Sequence, residues 1–177
     1  MQGIDHHGRV IFIGTFSKVL FPALRLGYMV VPPNLSESFI GANGITLKGP
    51  PTHLQAAVAD FITEGHFARH IRRMRKIYKE RQDVLLAAAR EELDGLLDPV
   101  PSNAGLHLIG WLPEGIDDVV VSEAAALRGI EVMPLSQCYQ HDPQQSGLLL
   151  GFASSPPEAI KKGISVLGDV LCEVTDA

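Results

Sequence analysis

The side chains best suited to chemistry cluster in one short stretch: Thr15, Ser17, Lys18 and Arg25. Lys18 closes the segment Gly14-Thr15-Phe16-Ser17-Lys18, and Arg25 follows seven residues later in Leu24-Arg25-Leu26-Gly27-Tyr28. A lysine amine that is desolvated beside other cations loses its proton near neutral pH and attacks carbonyl carbon. An arginine binds phosphate through two parallel hydrogen bonds, and neighbouring hydroxyls add further donors. Together these groups suit an aldehyde that carries a phosphate, a description met by pyridoxal 5'-phosphate held as a Schiff base. By itself a Ser-Lys pair fits a solvated lysine just as well, and an arginine before a strand commonly pairs with a surface carboxylate.

The elements around this stretch are legible from hydropathy. Two apolar runs, 10–13 and 26–31, flank the lysine; both are apolar on successive residues, as expected of a sheet covered on both faces. Pro22 donates no ladder hydrogen bond, so the intervening segment is a loop. A short helix is expected over 35–42, weakened by Gly41 and Gly44. Thr52 is placed as the N-cap of the next helix, with Gln55 as its capping-box partner, and Gly65 interrupts that helix.

Beyond Gly65, Phe67, Ile71, Met74, Tyr78 and Leu85 recur at helical intervals as a core stripe running to about Leu93. Seven basic residues lie on this helix: Arg69, Arg72, Arg73, Arg75, Lys76, Lys79 and Arg81. They read as the solvated flank of an amphipathic helix, in preference to a nucleic-acid face. The remainder is of α+β type. Strands are expected over 105–112, 130–134 and 148–152, and helices over 121–127, ended by Gly129, and 157–174. The segment from Gln140 to Ser146 is a polar loop, and Trp111 and Tyr139 are read as packing residues.

The string from Gly14 to Lys18, continued by Pro22-Ala23-Leu24-Arg25-Leu26-Gly27-Tyr28, resembles the cofactor-lysine segment of class I/II, fold-type I aminotransferases. Within that group it is most similar to the aminotransferase-like domain of MocR-type (GntR-family) transcription regulators. Gly65-His66-Phe67-Ala68-Arg69-His70-Ile71-Arg72-Arg73-Met74-Arg75 also resembles a stretch of those domains, where it begins the long helix leading into the small domain. The resemblance implies that Lys18 holds the cofactor and moves the substrate proton, that Thr15 and Arg25 bind its phosphate, and that Ser17 assists. It places Gly49-Pro50-Pro51-Thr52 where such enzymes reach across a dimer. It implies an α/β fold: residues 1–64 as the end of the cofactor-binding large domain, and residues 65–177 as the connecting helix and small C-terminal α+β domain.

Two departures stand out against that family. Leu149 occupies the position, three residues before the aromatic Phe152, where many members carry an arginine that grips the substrate carboxylate; an apolar side chain cannot do so. The family also places before its lysine an aspartate for the pyridine nitrogen, an aromatic that stacks on the ring and a glycine-rich phosphate loop. None of these is found in the seventeen residues ahead of Lys18.

Composition narrows the rest. A net charge of −5 argues against direct nucleic-acid binding by this segment, since such domains need a basic face. Cys138 and Cys172 lie far apart and read as buried small hydrophobes in a reducing compartment. The seven histidines are scattered; only His66 and His70 share an i, i+4 spacing, with no third ligand following, so no metal is expected. No run reaches the roughly 18 apolar residues of a membrane span, and a cytoplasmic protein is expected.

Three functions stay open at this stage. The first is a fragment of a MocR-type regulator that senses pyridoxal phosphate and an amino-acid-like small molecule. The second is a fragment of a catalytic aminotransferase using Lys18, and the third a cofactor-free packing fragment. In each the partner is a second copy or a complementing N-terminal chain.

Overall fold

In the computed structural model, which describes residues 2–46, 51–141 and 145–175, the chain folds as two units, Met1–Arg73 and Met74–Ala177. In the first unit the Asp5 carboxylate accepts the backbone N–H groups of His7 (2.9 Å), Arg9 (2.7 Å) and Val10 (2.8 Å). These bonds, that from His7 foremost, hold its carboxyl below the usual aspartate range. They also engage Val10 in a turn, so strand β1 runs over Phe12–Thr15 and begins two residues later than its apolar run. It pairs antiparallel with β2, Gly27–Val30, in the register Phe12↔Val30 to Thr15↔Gly27.

The expected cover on both faces of these strands is absent within the described unit. Phe12, Ile13, Tyr28, Met29 and Val30 are all exposed, Ile13 at 72%. Each strand has a single sheet neighbour, which leaves consecutive apolar residues facing outward on both sides.

Helix α1 spans Ser36–Thr46, entered through a 3-10 turn at Pro33–Leu35, and its two glycines do not shorten it. Helix α2 is Thr52–Thr63. Thr52 is its first helical residue and not its cap: the N-cap is Pro51, whose carbonyl accepts from Leu54 (3.1 Å) and Gln55 (3.3 Å). Gly49 and Pro50, part of the expected dimer-reaching segment, lie outside the described residues, as do 142–144 of the polar loop. Gly65, with φ of +78°, separates α2 from α3, His66–Glu92. A left-handed residue costs an L side chain energy that glycine avoids.

The second unit is a four-stranded antiparallel sheet of order β3-β4-β6-β5 packed with helices. Its strands are β3 Asp98–Val100, β4 His107–Trp111, β5 Met133–Pro134 and β6 Gly147–Gly151. Helix α4, Asp118–Leu127, starts three residues before the expected Val121 because the Asp117 side chain caps it, accepting from the Val119 and Val120 amides. Gly129 follows it with φ of +78°. Helix α5 is Pro157–Thr175.

The core of this unit combines the last turns of α3 (Leu85, Leu86, Ala88, Ala89) with Leu108, Leu148 and Leu150 of the sheet, Val121 and Ala125 of α4, and Ile160, Ile164, Leu167 and Leu171 of α5. Full burial of each large aliphatic contributes about 1.5–3 kcal/mol. The basic residues of α3 form its solvated flank: Lys79 pairs with Asp83 at 2.5 Å, and Arg81 donates to the Ala153 carbonyl. Both cysteines are exposed, contrary to the expectation of burial. Cys138 sits in a 3-10 turn after β5, and Cys172 lies off the buried stripe of α5. Tyr139 is exposed as well, while Trp111 is half-buried in β4.

Candidate functional site

The segment joining β1 to β2 carries Ser17, Lys18 and Arg25, and the ladder that closes at Thr15↔Gly27 brings its two ends side by side. The Phe16 amide donates to the Leu26 carbonyl (3.0 Å), extending the pairing one step into the loop. The Ser17 amide donates to Thr15 Oγ1 (3.1 Å), which fixes the threonine hydroxyl beneath the lysine turn. The Leu20 amide then donates to the Phe16 carbonyl (2.8 Å), closing a turn around Lys18.

Packing fixes that turn to the unit. Phe16 and Leu20, two residues on either side of Lys18, pack with Leu54 against the buried cluster Leu24, Leu26 and Val58. Inward packing on both sides leaves Lys18 exposed at the turn, with Thr15 and Arg25 also exposed and Ser17 half-buried. Among the described residues neither the Lys18 amine nor the Arg25 guanidinium has a hydrogen-bond or ion-pair partner. An unpaired guanidinium, an unpaired lysine and a hydrogen-bonded hydroxyl on one loop form a donor set without an acceptor.

Arg25 has φ of 48° and ψ of 32°, and it alone among the described non-glycine residues has positive φ. It follows the 3-10 turn Pro22–Leu24, and its amide donates to the Pro22 carbonyl (3.2 Å). The left-handed region costs an L residue roughly 1–2 kcal/mol. Such strain persists where the surroundings fix it, often at ligand sites.

The strands beneath the loop approach closely through glycine. A Cβ on Gly14 would lie 2.3 Å from Cζ of Tyr28, whose ring covers that position. A Cβ on Gly27 would lie 2.9 Å from the Gly14 carbonyl oxygen. The Tyr28 ring also meets Phe12 and Phe16, with centroids 6.0 and 5.5 Å apart.

The two histidines at metal-ligand spacing go to separate partners. His66 Nε2 lies 3.2 Å from Glu64 Oε2, and its ring stacks on Phe61. His70 Nε2 lies 2.9 Å from the Val19 carbonyl oxygen and donates to it. In the second unit Leu149 is half-buried in β6, opposite Ile109 on one side and Met133 on the other.

Two polar residues that matter structurally have no structural role assigned from the sequence. His70 is identified only by its contact with the lysine turn, fifty-one residues away. Asp118 is 1% exposed, and its carboxylate accepts from Ser136 Oγ (2.6 Å), the Ser136 amide (2.9 Å) and the Gly147 amide (3.1 Å). Burial opposes its charge, but the Ser136 hydroxyl and the two amides outweigh burial and hold its pKa below the ordinary 3.8.

Comparison with known proteins places these features in context. No family model matches the chain. It is 44% identical over 167 residues to the probable rhizopine catabolism regulatory protein MocR of Rhizobium meliloti, an alignment covering 94% of this chain and 34% of that protein. It is 29% identical to aromatic-amino-acid aminotransferase 1 of Thermococcus litoralis, covering 96% of this chain and 40% of the relative. Among solved structures it matches the kynurenine aminotransferase of Pyrococcus horikoshii, crystallised with PMP, at 30% identity and a TM-score of 0.87, over 97% of this chain and 43% of that one. The chain thus spans 34–40% of the length of these curated relatives.

Proposed function

From a chain that is homologous over nearly its whole length to MocR-type regulators and aminotransferases, and that has the fold of the C-terminal part of a fold-type I aminotransferase, we propose a pyridoxal-phosphate-binding, aminotransferase-like effector domain of a MocR-type transcription regulator. The observation that carries this reading is the Lys18–Arg25 loop. It offers one exposed amine, one guanidinium on a residue in a strained backbone conformation, and a hydroxyl fixed three residues before the lysine.

This donor set fits the two reactive ends of the cofactor. The Lys18 amine takes the aldehyde end, while Arg25 and Thr15, assisted by Ser17, take the phosphate. Pyridoxal phosphate, when bound, supplies an electron sink for chemistry at a carbon bearing an amine. The chain's own contribution is to hold the phosphate with a permanent cation and to keep an amine at the turn that accepts or returns a proton.

Two observations favour a regulator over a catalytic aminotransferase. Identity to MocR exceeds that to the aminotransferases, 44% against 29–30%. Leu149, between Ile109 and Met133, offers no cation at the family's carboxylate-binding position. The ligand accompanying the cofactor is an amino compound, and the assembled form is a homodimer in the cytoplasm. No helix among the described residues is long and apolar enough to cross a membrane.

Titration with pyridoxal phosphate tests the cofactor assignment. The 177-residue chain is expected to show a visible absorbance band that saturates only at high cofactor concentration, because the contributing side chains are exposed. Lys18→Ala reduces the band to what the remaining lysines give. Identical spectra for the two proteins would remove Lys18 from any cofactor role.

A further inference from the structure

Helix α3 reaches the lysine turn with two side chains of its first turns. Phe67 and His70 are three residues apart and so share a helix face. The Phe67 ring meets the Phe16 ring edge-on, centroids 6.0 Å apart at 77°, two residues before Lys18. His70 Nε2 donates to the Val19 carbonyl at 2.9 Å, one residue after Lys18. One helix face therefore holds a side chain before the exposed lysine and the backbone after it.

Val19 is itself exposed. What the bond changes is the freedom of the turn. The Val19 carbonyl and the Leu20 amide are the two edges of one planar peptide unit, and the bond from the Leu20 amide to the Phe16 carbonyl ties one edge of it within the turn. The His70 donor ties the other edge of that unit to helix α3. A lysine on a fixed backbone loses less entropy when its amine is captured, and preorganisation of this kind is worth affinity.

We propose that His70 is a positioning residue for Lys18: its Nε2–H, through the Val19 carbonyl, ties the peptide after Val19 to helix α3, steadies the turn that carries the cofactor lysine and so selects Lys18 over the other lysines of the chain. This rests on Lys18 being the cofactor lysine. Glutamine at position 70 places an amide N–H close to the histidine Nε2 position and preserves the bond; alanine removes it.

The test is site-selective trapping on the whole 177-residue chain. Wild type, His70→Gln and His70→Ala are incubated with limiting pyridoxal phosphate and treated with borohydride, which fixes the cofactor to the amine that holds it. Peptide mapping then gives the label on Lys18 relative to Lys76, Lys79 and Lys161. Wild type and His70→Gln are expected to label Lys18 preferentially. In His70→Ala that preference falls roughly threefold to tenfold, the equivalent of one hydrogen bond. Hydrogen exchange of the Leu20 amide quickens in His70→Ala alone. Undiminished preference in His70→Ala overturns the inference while leaving the cofactor assignment intact, and equal loss in both variants shows that packing, not the hydrogen bond, is responsible. A wild-type chain with no preference for Lys18 refutes the cofactor assignment itself, and the inference with it.

Discussion

Removing the Asp118 carboxylate is expected to unlock the sheet of the second unit. The group is 1% exposed and accepts three hydrogen bonds, at 2.6, 2.9 and 3.1 Å, from Ser136 after β5 and Gly147 at the start of β6. Hydrogen bonds to a charged group contribute about 1.5–3 kcal/mol each, against which stands the cost of burying the charge. In Asp118→Ala three donors lose their acceptor, and a water entering the vacated volume recovers part of the loss; the expected destabilisation is about 3–4 kcal/mol. Asp118→Asn keeps the volume and one acceptor oxygen, so it costs about 2 kcal/mol.

Trp111, the chain's single tryptophan, stands opposite Gly147 in the β4–β6 register and reports on this site by fluorescence. With a urea m-value of roughly 1–2 kcal/mol/M, the Asp118→Ala midpoint falls by ~1.5 M or more at pH 7. The pH dependence adds a sign. The folded pKa lies below 3.8, so the stabilisation is fully present above 3.8 and is lost as pH falls through the lower folded value. Asparagine does not titrate, so the gap between wild type and Asp118→Asn narrows below pH 3.8. A midpoint shift under ~0.5 M for Asp118→Ala, or a gap that widens in acid, would show that the carboxylate is a solvated bystander.

Other outcomes follow from the first unit. Arg25→Ala is expected to weaken Lys18-dependent cofactor binding by about 1.5–3 kcal/mol, measured by the same absorbance titration, and unchanged affinity would assign Arg25 to the surface. Arg25→Gly loses the same binding yet unfolds within about 1 kcal/mol of wild type, because glycine relieves the left-handed strain; a large loss of stability in denaturant would show that the guanidinium packs. The exposed apolar strands β1 and β2 are expected to drive self-association that rises with concentration in sedimentation and falls in Met29→Glu. A monomer at every concentration that binds no hydrophobic dye would mean that these strands are covered.

Legibility followed the range of the interactions. Helices α3 and α5 were visible because a stripe repeating every three to four residues is a local signal, and Gly65 and Gly129 punctuated the chain where positive φ was needed. The start of β1 was misplaced because hydropathy assigns Val10 to the strand, whereas the Asp5 carboxylate claims its amide. Asp117 and Asp118 are chemically identical neighbours; one caps α4 and the other is buried under the sheet, and only Ser136 and Gly147, far along the chain, distinguish them. Pro99 in β3 hid an edge strand, since proline reads as a break although an edge tolerates it. In the candidate site, Thr15, Ser17, Lys18 and Arg25 were marked by residue type and spacing. His70 was not, because its role depends on a carbonyl that every residue possesses.

The glycine under Tyr28 also decides what the loop can be. Sliding β2 by one residue against β1 would turn Tyr28 to the opposite face and offer its ring to Ile13 or Thr15, each with a β-branched side chain. Sliding by two would set it opposite Phe12 or Phe16, each of which already carries an aromatic ring where Gly14 has none. Tyr28 and Gly14 therefore act as a key and its slot, admitting a single alignment of the ribbon. Because the loop length is fixed once the alignment is fixed, the absence of one methyl group at position 14 sets the span across which Lys18 and Arg25 face any ligand.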